Sequence, residues 1–164
     1  MLALAQAAAK LPHINFKIVG DGPERQKLEN FIAKNWLINI ELPGAKSREE
    51  ILQLMAKARL FVLPSVWYEN YSIALLEASA IGKAIIASRT GGNAEIIEDG
   101  RTGFLVTPNN LDELAAKIDR LYNNQELISK LGQAAKQKIL QDNNPETHYQ
   151  KLMDIYQQAI AKTQ

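Results

Sequence analysis

Two carboxylates separated by seven residues, Glu69 and Glu77, flank the turn Asn70-Tyr71-Ser72-Ile73-Ala74. Carboxylates placed this way can accept hydrogen bonds from ligand hydroxyls. Backbone amides freed at a helix start between them form a ready site for an anion such as phosphate. The stretch therefore has the parts to hold a phosphorylated, hydroxyl-bearing ligand. Glu77 is the more informative of the two. It falls among Leu75, Leu76, Ala78 and Ala80. A carboxylate on an apolar helix costs free energy unless a partner meets it. The plainer reading is that Glu77 pairs with a basic residue and Glu69 is solvated; spacing alone leaves both readings open.

The neighbouring elements would position these groups. Leu60-Phe61-Val62-Leu63 is a short apolar run and is expected to be a buried strand. Pro64 ends it, since proline cannot donate to a ladder. Ile73-Ala74-Leu75-Leu76 opens a helix that Asn70 or Ser72 can cap, with Glu77 about two turns in. In open parallel sheets, ligands bind at the carboxyl ends of the strands, where this turn would lie.

The rest of the chain supplies more units of the same kind. Residues 2–10 read as an alanine-rich helix that stops before Leu11-Pro12. This suggests a chain that starts in mid-domain. Further strands are expected at 15–20, 38–42, 84–87 and 103–106, with helices at 24–34, from the Ser47 cap to 58, and at 94–98. Gly20-Asp21-Gly22-Pro23 is a tight turn and not a dinucleotide fingerprint, because Arg25 stands where the third glycine would be. Pro43-Gly44-Ala45-Lys46 reads as a loop, and Ser47 with Glu50 forms a capping box. Thr90-Gly91-Gly92 could cradle phosphate but reads more readily as a packing turn, Glu95 complements the dipole of the helix behind it, and Asp99-Gly100 closes that helix. Helices at 111–123, 125–141 and 145–161 follow. The last carries Tyr149, Leu152, Ile155, Tyr156 and Ala159 on one stripe, which could be a partner surface but more usually docks on the chain's own body. The alternation predicts an α/β fold: a Rossmann-like doubly wound parallel sheet of about five strands, helices on both faces, and C-terminal helices.

Bulk properties narrow the function classes. A chain of 164 residues is long enough for one domain with a real core. Its 46% hydrophobic and 23% charged content is that of a soluble globular protein. The net charge of +1 gives no electrostatic case for nucleic acid or an anionic membrane. The absence of cysteine excludes disulfides and thiol chemistry, and His13 and His148 are too far apart in sequence for a recognisable ligand pair. No run approaches the length of a membrane span.

The motif Glu69-x7-Glu77 resembles the paired-glutamate motif of family 4 glycosyltransferases, retaining enzymes of the GT-B fold. The resemblance extends to Pro64-Ser65, Trp67-Tyr68-Glu69-Asn70, Glu77-Ala78, Gly82-Lys83, Gly91-Gly92-Asn93-Ala94-Glu95 and Asp99-Gly100-Arg101-Thr102-Gly103-Phe104-Leu105-Val106. It covers nearly the whole chain in family order. It implies one half of a GT-B fold, the nucleotide-sugar-binding domain. Glu77 would hold the donor ribose hydroxyls, and Glu69 a sugar hydroxyl near the anomeric carbon. The amides of Tyr71, Ser72, Ile73 and Ala74, beside Asn70, would face sugar and phosphate, and Lys46 would lie near the base through its backbone. In the ligand-free protein Glu77 is then expected to be under-satisfied. No metal or cofactor is implied beyond the nucleoside diphosphate sugar itself.

The resemblance also implies what lies outside these residues. The partners expected are a nucleotide sugar and an N-terminal acceptor domain, in cis or in trans, in a cytoplasmic setting without nucleic acid. Any peripheral membrane association is expected only through that other domain. The family's donor domain begins with a strand and a basic pair for the diphosphate, and no Arg or Lys here corresponds to them. Without that strand, those at 16–20 and 60–63 would either pair directly or leave a position for another chain. Tyr71-Ser72 replaces a frequent Phe-Gly, and Ala84 a frequent proline. The isolated chain is expected to be inactive. The alternatives are a non-catalytic α/β fragment and a nucleotide-sugar epimerase of similar architecture.

Overall fold

The computed structural model describes residues 1–68 and 70–162. Among these residues five parallel strands alternate with helices. The strands are β1 (Phe16–Val19), β2 (Ile40–Gly44), β3 (Leu60–Leu63), β4 (Ala84–Ser88) and β5 (Phe104–Val106). The helices between them are α1 (Leu2–Ala8), α2 (Arg25–Lys34), α3 (Arg48–Lys57), α4 (Ile73–Ala80) and the single turn α5 (Asn93–Ile96). Helices α6 (Leu111–Tyr122), α7 (Gln125–Asp142) and α8 (Pro145–Ala161) follow.

Alternation along the strands divides the side chains between two layers. Phe16 and Ile18 of β1, Leu60 and Val62 of β3, Ala84 and Ile86 of β4, and Phe104 and Val106 of β5 face a core shared with α1, α2 and α6. Phe61, Leu63, Ile85, Ala87 and Leu105 face a second core, where Met55 of α3, Leu75 and Ala78 of α4 and Ile96 of α5 close over them. Parallel strands covered on both faces read as continuous apolar runs, and β4 is buried at every position. This is the expected Rossmann-like α/β layering.

The strands form two sheets, however, and not one. β1 pairs with β2, while β3, β4 and β5 pair in that order in a separate sheet. Direct pairing of β1 with β3 does not occur. All of β3 is half-buried, as suits an edge strand beside an open position. The second face of β1 and β2 is also uncovered. There Lys17 and Glu41, opposite each other in the register, are exposed and joined as an ion pair.

Other departures have local causes. β2 runs on through Pro43 to Gly44, where a loop is expected; on an edge strand the missing proline N–H can face solvent. α5 stops at Ile96 because Ile97 is already extended, so Asp99-Gly100 lies in the loop beyond it. α8 buries none of its residues, and its stripe of Tyr149, Leu152, Ile155 and Tyr156 does not dock on the chain's own body. Two contacts lock the layers together. Asn39, buried ahead of β2, donates to the carbonyl oxygens of Leu11 and Ile14 at 3.0 Å each, tying the end of α1 to the strands. In α7, a Cβ at Gly132 would stand 2.2 Å from the carbonyl oxygen of Gly82, so only glycine allows this helix against the α4–β4 turn.

Candidate functional site

The carboxyl ends of β1 to β4 open onto turns that carry most of the residues expected to bind ligand. α4 starts ten residues after β3 ends, across the segment 64–72. Ser72 holds its N-cap position with extended backbone, but its hydroxyl makes no cap bond, so the capping expected of it is not seen. The first helical bond runs from the Leu76 N–H to the Ser72 carbonyl at 3.1 Å. The N–H groups of Ile73 and Ala74 precede that ladder and have no intrahelical acceptor. Ser72 itself is buried, whereas Asn70, Tyr71 and Ile73 are exposed.

Glu77 is the fifth residue of α4, little more than one turn from its start and not two. The helix buries Leu75, Ala78 and Ser79 and leaves Glu77 on its flank, with the side chain 18% exposed. The surroundings are not wholly apolar. Nε and Nη2 of Arg48 both stand 2.9 Å from Glu77 Oε1. The carboxylate expected to be under-satisfied therefore has a cation, and the plainer sequence reading of Glu77 holds in the ligand-free protein. Arg48 is the residue the sequence reading missed. The signal for it was position: it follows directly on the Ser47 cap, as the first residue of α3 and two residues after Lys46.

That capping box forms as expected. The Ser47 hydroxyl accepts from the Glu50 N–H at 3.3 Å, and the Glu50 carboxylate accepts from the Ser47 N–H at 2.8 Å. The Ser47 backbone bond, then the hydroxyl, hold the Glu50 carboxyl below the ordinary glutamate range. Lys46, just beyond β2, places Nζ 3.5 Å from Glu50 Oε1. α3 thus delivers Arg48 to Glu77 and keeps Lys46 at the carboxyl edge of β2.

The other turns are held by packing. Asn93 is fully buried and donates to the Ser88 carbonyl at 3.0 Å and to Thr90 Oγ1 at 3.3 Å, fixing the Thr90-Gly91-Gly92 turn as a packing turn. Its Oδ1 has no partner among the described residues. The Tyr71 hydroxyl donates to Asn143 Oδ1 at 3.3 Å, joining the site loop to the junction of α7 and α8. A phenylalanine at position 71 could not make that bond. The role expected of Glu69 lies outside the described residues. Among the described residues no group of three or more His, Asp or Glu side chains gathers that could hold a metal ion.

Known proteins match this chain in sequence and in fold. The family model described as "Glycosyl transferases group 1" matches residues 1–138. An uncharacterized glycosyltransferase of Methanocaldococcus jannaschii is 43% identical over 123 residues, 75% of this chain and 35% of its own length. The alpha-D-kanosaminyltransferase of Streptomyces kanamyceticus is 34% identical over 135 residues, 79% of this chain and 35% of its own length. The chain thus spans about a third of the length of these relatives. Among solved structures, Anabaena HepE in complex with UDP superposes with a TM-score of 0.86 at 26% identity, covering 95% of this chain and 44% of HepE. The C-terminal domain of a group 1 glycosyl transferase from Francisella tularensis superposes with a TM-score of 0.75 at 26% identity, covering 86% of this chain and 77% of that domain. The Rossmann-like α/β layers described above are those of the C-terminal domain of a GT-B glycosyltransferase. The chain belongs to the glycosyl transferases group 1 family.

Proposed function

We propose that this chain is the donor half of a retaining, family 4-type glycosyltransferase, and that it binds a nucleoside diphosphate sugar whose hexose-type sugar is passed to an acceptor held by a second domain. The observation that carries this reading is the meeting of two helix starts at one edge. The amino end of α4, which follows the end of β3 in the chain, leaves its first amides without intrahelical acceptors, and the Glu77 carboxylate stands on the flank of that helix, steadied by Arg48 from the start of α3. Amides at a helix start favour a diphosphate, and a carboxylate beside them favours the vicinal hydroxyls of ribose. In this arrangement Glu77 takes the ribose, Tyr71, Ser72, Ile73 and Ala74 offer amides to phosphate and sugar, and Lys46 borders the base. Asn70 is assigned to the sugar as well, and the resemblance gives Glu69 the role of holding a sugar hydroxyl near the anomeric carbon. Departure of the nucleoside diphosphate would be favoured by fixed dipoles at the α4 start rather than by a metal. The HepE complexes with UDP and with UDP-glucose support a ligand of this class.

The open position between β1 and β3 and the uncovered stripe of α8 are the surfaces on which the rest of such an enzyme would meet this chain. Alone, the chain is expected to bind donor weakly and to transfer no sugar, since charge-assisted bonds to the diphosphate are few. A solution titration of the labelled chain with UDP and UDP-glucose tests the reading. Shifts are expected at the amides of residues 71–74. Shifts confined to elements away from the carboxyl ends of β2 and β3 would refute it.

A further inference from the structure

The loop between α2 and β2 lies at the amino end of β2, the edge opposite the candidate site. It puts two large apolar side chains into solvent: Trp36 is 87% exposed and Ile38 is 99% exposed. Leu37 between them is half-buried, so the two point outward together. Trp36 also has φ +54°, a left-handed conformation that suits glycine and that an aromatic residue adopts at a cost. The helix end imposes it. The Leu37 N–H bonds to the Ile32 carbonyl and the Trp36 N–H to the Ala33 carbonyl, the pairing that closes a helix through one left-handed residue.

Three cations without a carboxylate partner among the described residues lie at this edge. Lys34 ends α2, Lys57 ends α3, and Arg59 stands just before β3. All three are exposed, and among the described residues none has a carboxylate partner; Arg59 lies over the Tyr122 ring at 4.9 Å. Of the carboxylates on neighbouring elements, Asp119 is engaged by His13 at 3.0 Å and Glu41 by Lys17, which leaves Glu126 at the start of α7 against three cations. A net charge of +1 over the whole chain conceals this local excess.

We propose that this edge docks on an anionic lipid bilayer surface. Trp36 and Ile38 enter the headgroup layer, while Lys34, Lys57 and Arg59 meet the anionic headgroups. Tryptophan is at home at such an interface, and juxtaposed cations hold a protein against it. Area argues against a protein partner. Two such side chains cover at most roughly 400 Å², about half of what one partner gives to a standard interface. Docking by this edge leaves the carboxyl ends of the strands facing away from the bilayer, so the inference does not depend on what binds there.

The chain has two tryptophans, so Trp67→Phe leaves Trp36 as the sole emitter. In that background, vesicles of phosphatidylcholine with phosphatidylglycerol are expected to shift the emission to the blue and to carry the protein down on centrifugation. Phosphatidylcholine alone is expected to do neither. Lys34→Glu with Lys57→Glu should lower the bound fraction at least about tenfold, as should high salt, because salt screens each cation's attraction to the surface. Trp36→Gly with Ile38→Ser should lose sedimentation with anionic vesicles while the circular dichroism of the fold persists, since glycine suits the left-handed residue. Absence of the blue shift with anionic vesicles overturns the proposal. So does binding that survives both pairs of substitutions. A blue shift that grows with protein concentration in the absence of vesicles overturns it too, and assigns the edge to a second copy of the chain.

Discussion

Replacing Glu77 by glutamine separates ligand binding from stability at the candidate site. The structure sets the size of the effect. Arg48 is 80% exposed and Glu77 only 18% exposed, so the pair joins a hydrated cation to a largely covered anion. A pair with one partner in solvent contributes at most about 1 kcal/mol. The penalty of about 3–5 kcal/mol for breaking a buried pair does not apply. Glu77→Gln keeps a carbonyl acceptor for Arg48 and leaves the guanidinium in water. For a domain of this size the melting temperature should fall by no more than about 2–4 °C. Arg48→Ala should cost more, about 1–2 kcal/mol, because it leaves a covered carboxylate without its cation. Ligand response should follow the opposite ranking. At a UDP-glucose concentration near 100 times Kd, the parent gains about 2.7 kcal/mol, and Glu77→Gln should lose most of that gain. Thermal melts of the three proteins with and without UDP-glucose measure both quantities. A Glu77→Gln variant that falls further than Arg48→Ala without ligand, or that keeps the parent's ligand response, would refute the reasoning.

Other outcomes follow from single features. Gly132→Ala should destabilise by about 1–3 kcal/mol, read by urea denaturation, because its methyl group would meet the Gly82 carbonyl at 2.2 Å, a backbone group that cannot swing aside. Trp36→Gly should instead raise stability by about 1 kcal/mol, since it relieves the left-handed aromatic and removes a side chain that buries little; an unchanged or lower denaturation midpoint would count against strain at this residue. The Glu50 carboxyl is lowered in the folded state from the ordinary value of 4.5 by its bonds to Ser47. Its contribution is therefore complete above that value and is lost as pH falls through the lower folded value. Glu50→Gln should accordingly be less stable than the parent at neutral pH, with the gap closing in acid.

Local signals carried most of the elements into the sequence. The Ser47 to Glu50 spacing marks the start of α3, and Pro64 and Pro145 sit where β3 ends and α8 begins. These depend on a few adjacent residues and on backbone geometry, so no distant contact is needed to read them. The apolar runs that became β3, β4 and β5 were legible for the same reason, as were the carboxyl-edge turn before α4 and the presence of Glu77 beside it.

Tertiary structure decided what lies across space. The partner of Glu77 is 29 residues away in sequence, on another helix, and only the packing of α3 beside α4 brings Arg48 to it. Strand periodicity assigns side chains to faces but not neighbours to edges, so the split between β1–β2 and β3–β4–β5 could not be read from the pattern. The stripe on α8 has the spacing of a buried face, yet burial requires a surface to meet it, and the described fold brings none. The same holds for Trp36 and Ile38: the sequence shows two apolar residues before a strand, and only the left-handed turn at the end of α2 turns both outward. Sequence determines conformations and faces because these are local properties of the backbone and its side chains. Which faces meet is a property of the whole packed chain.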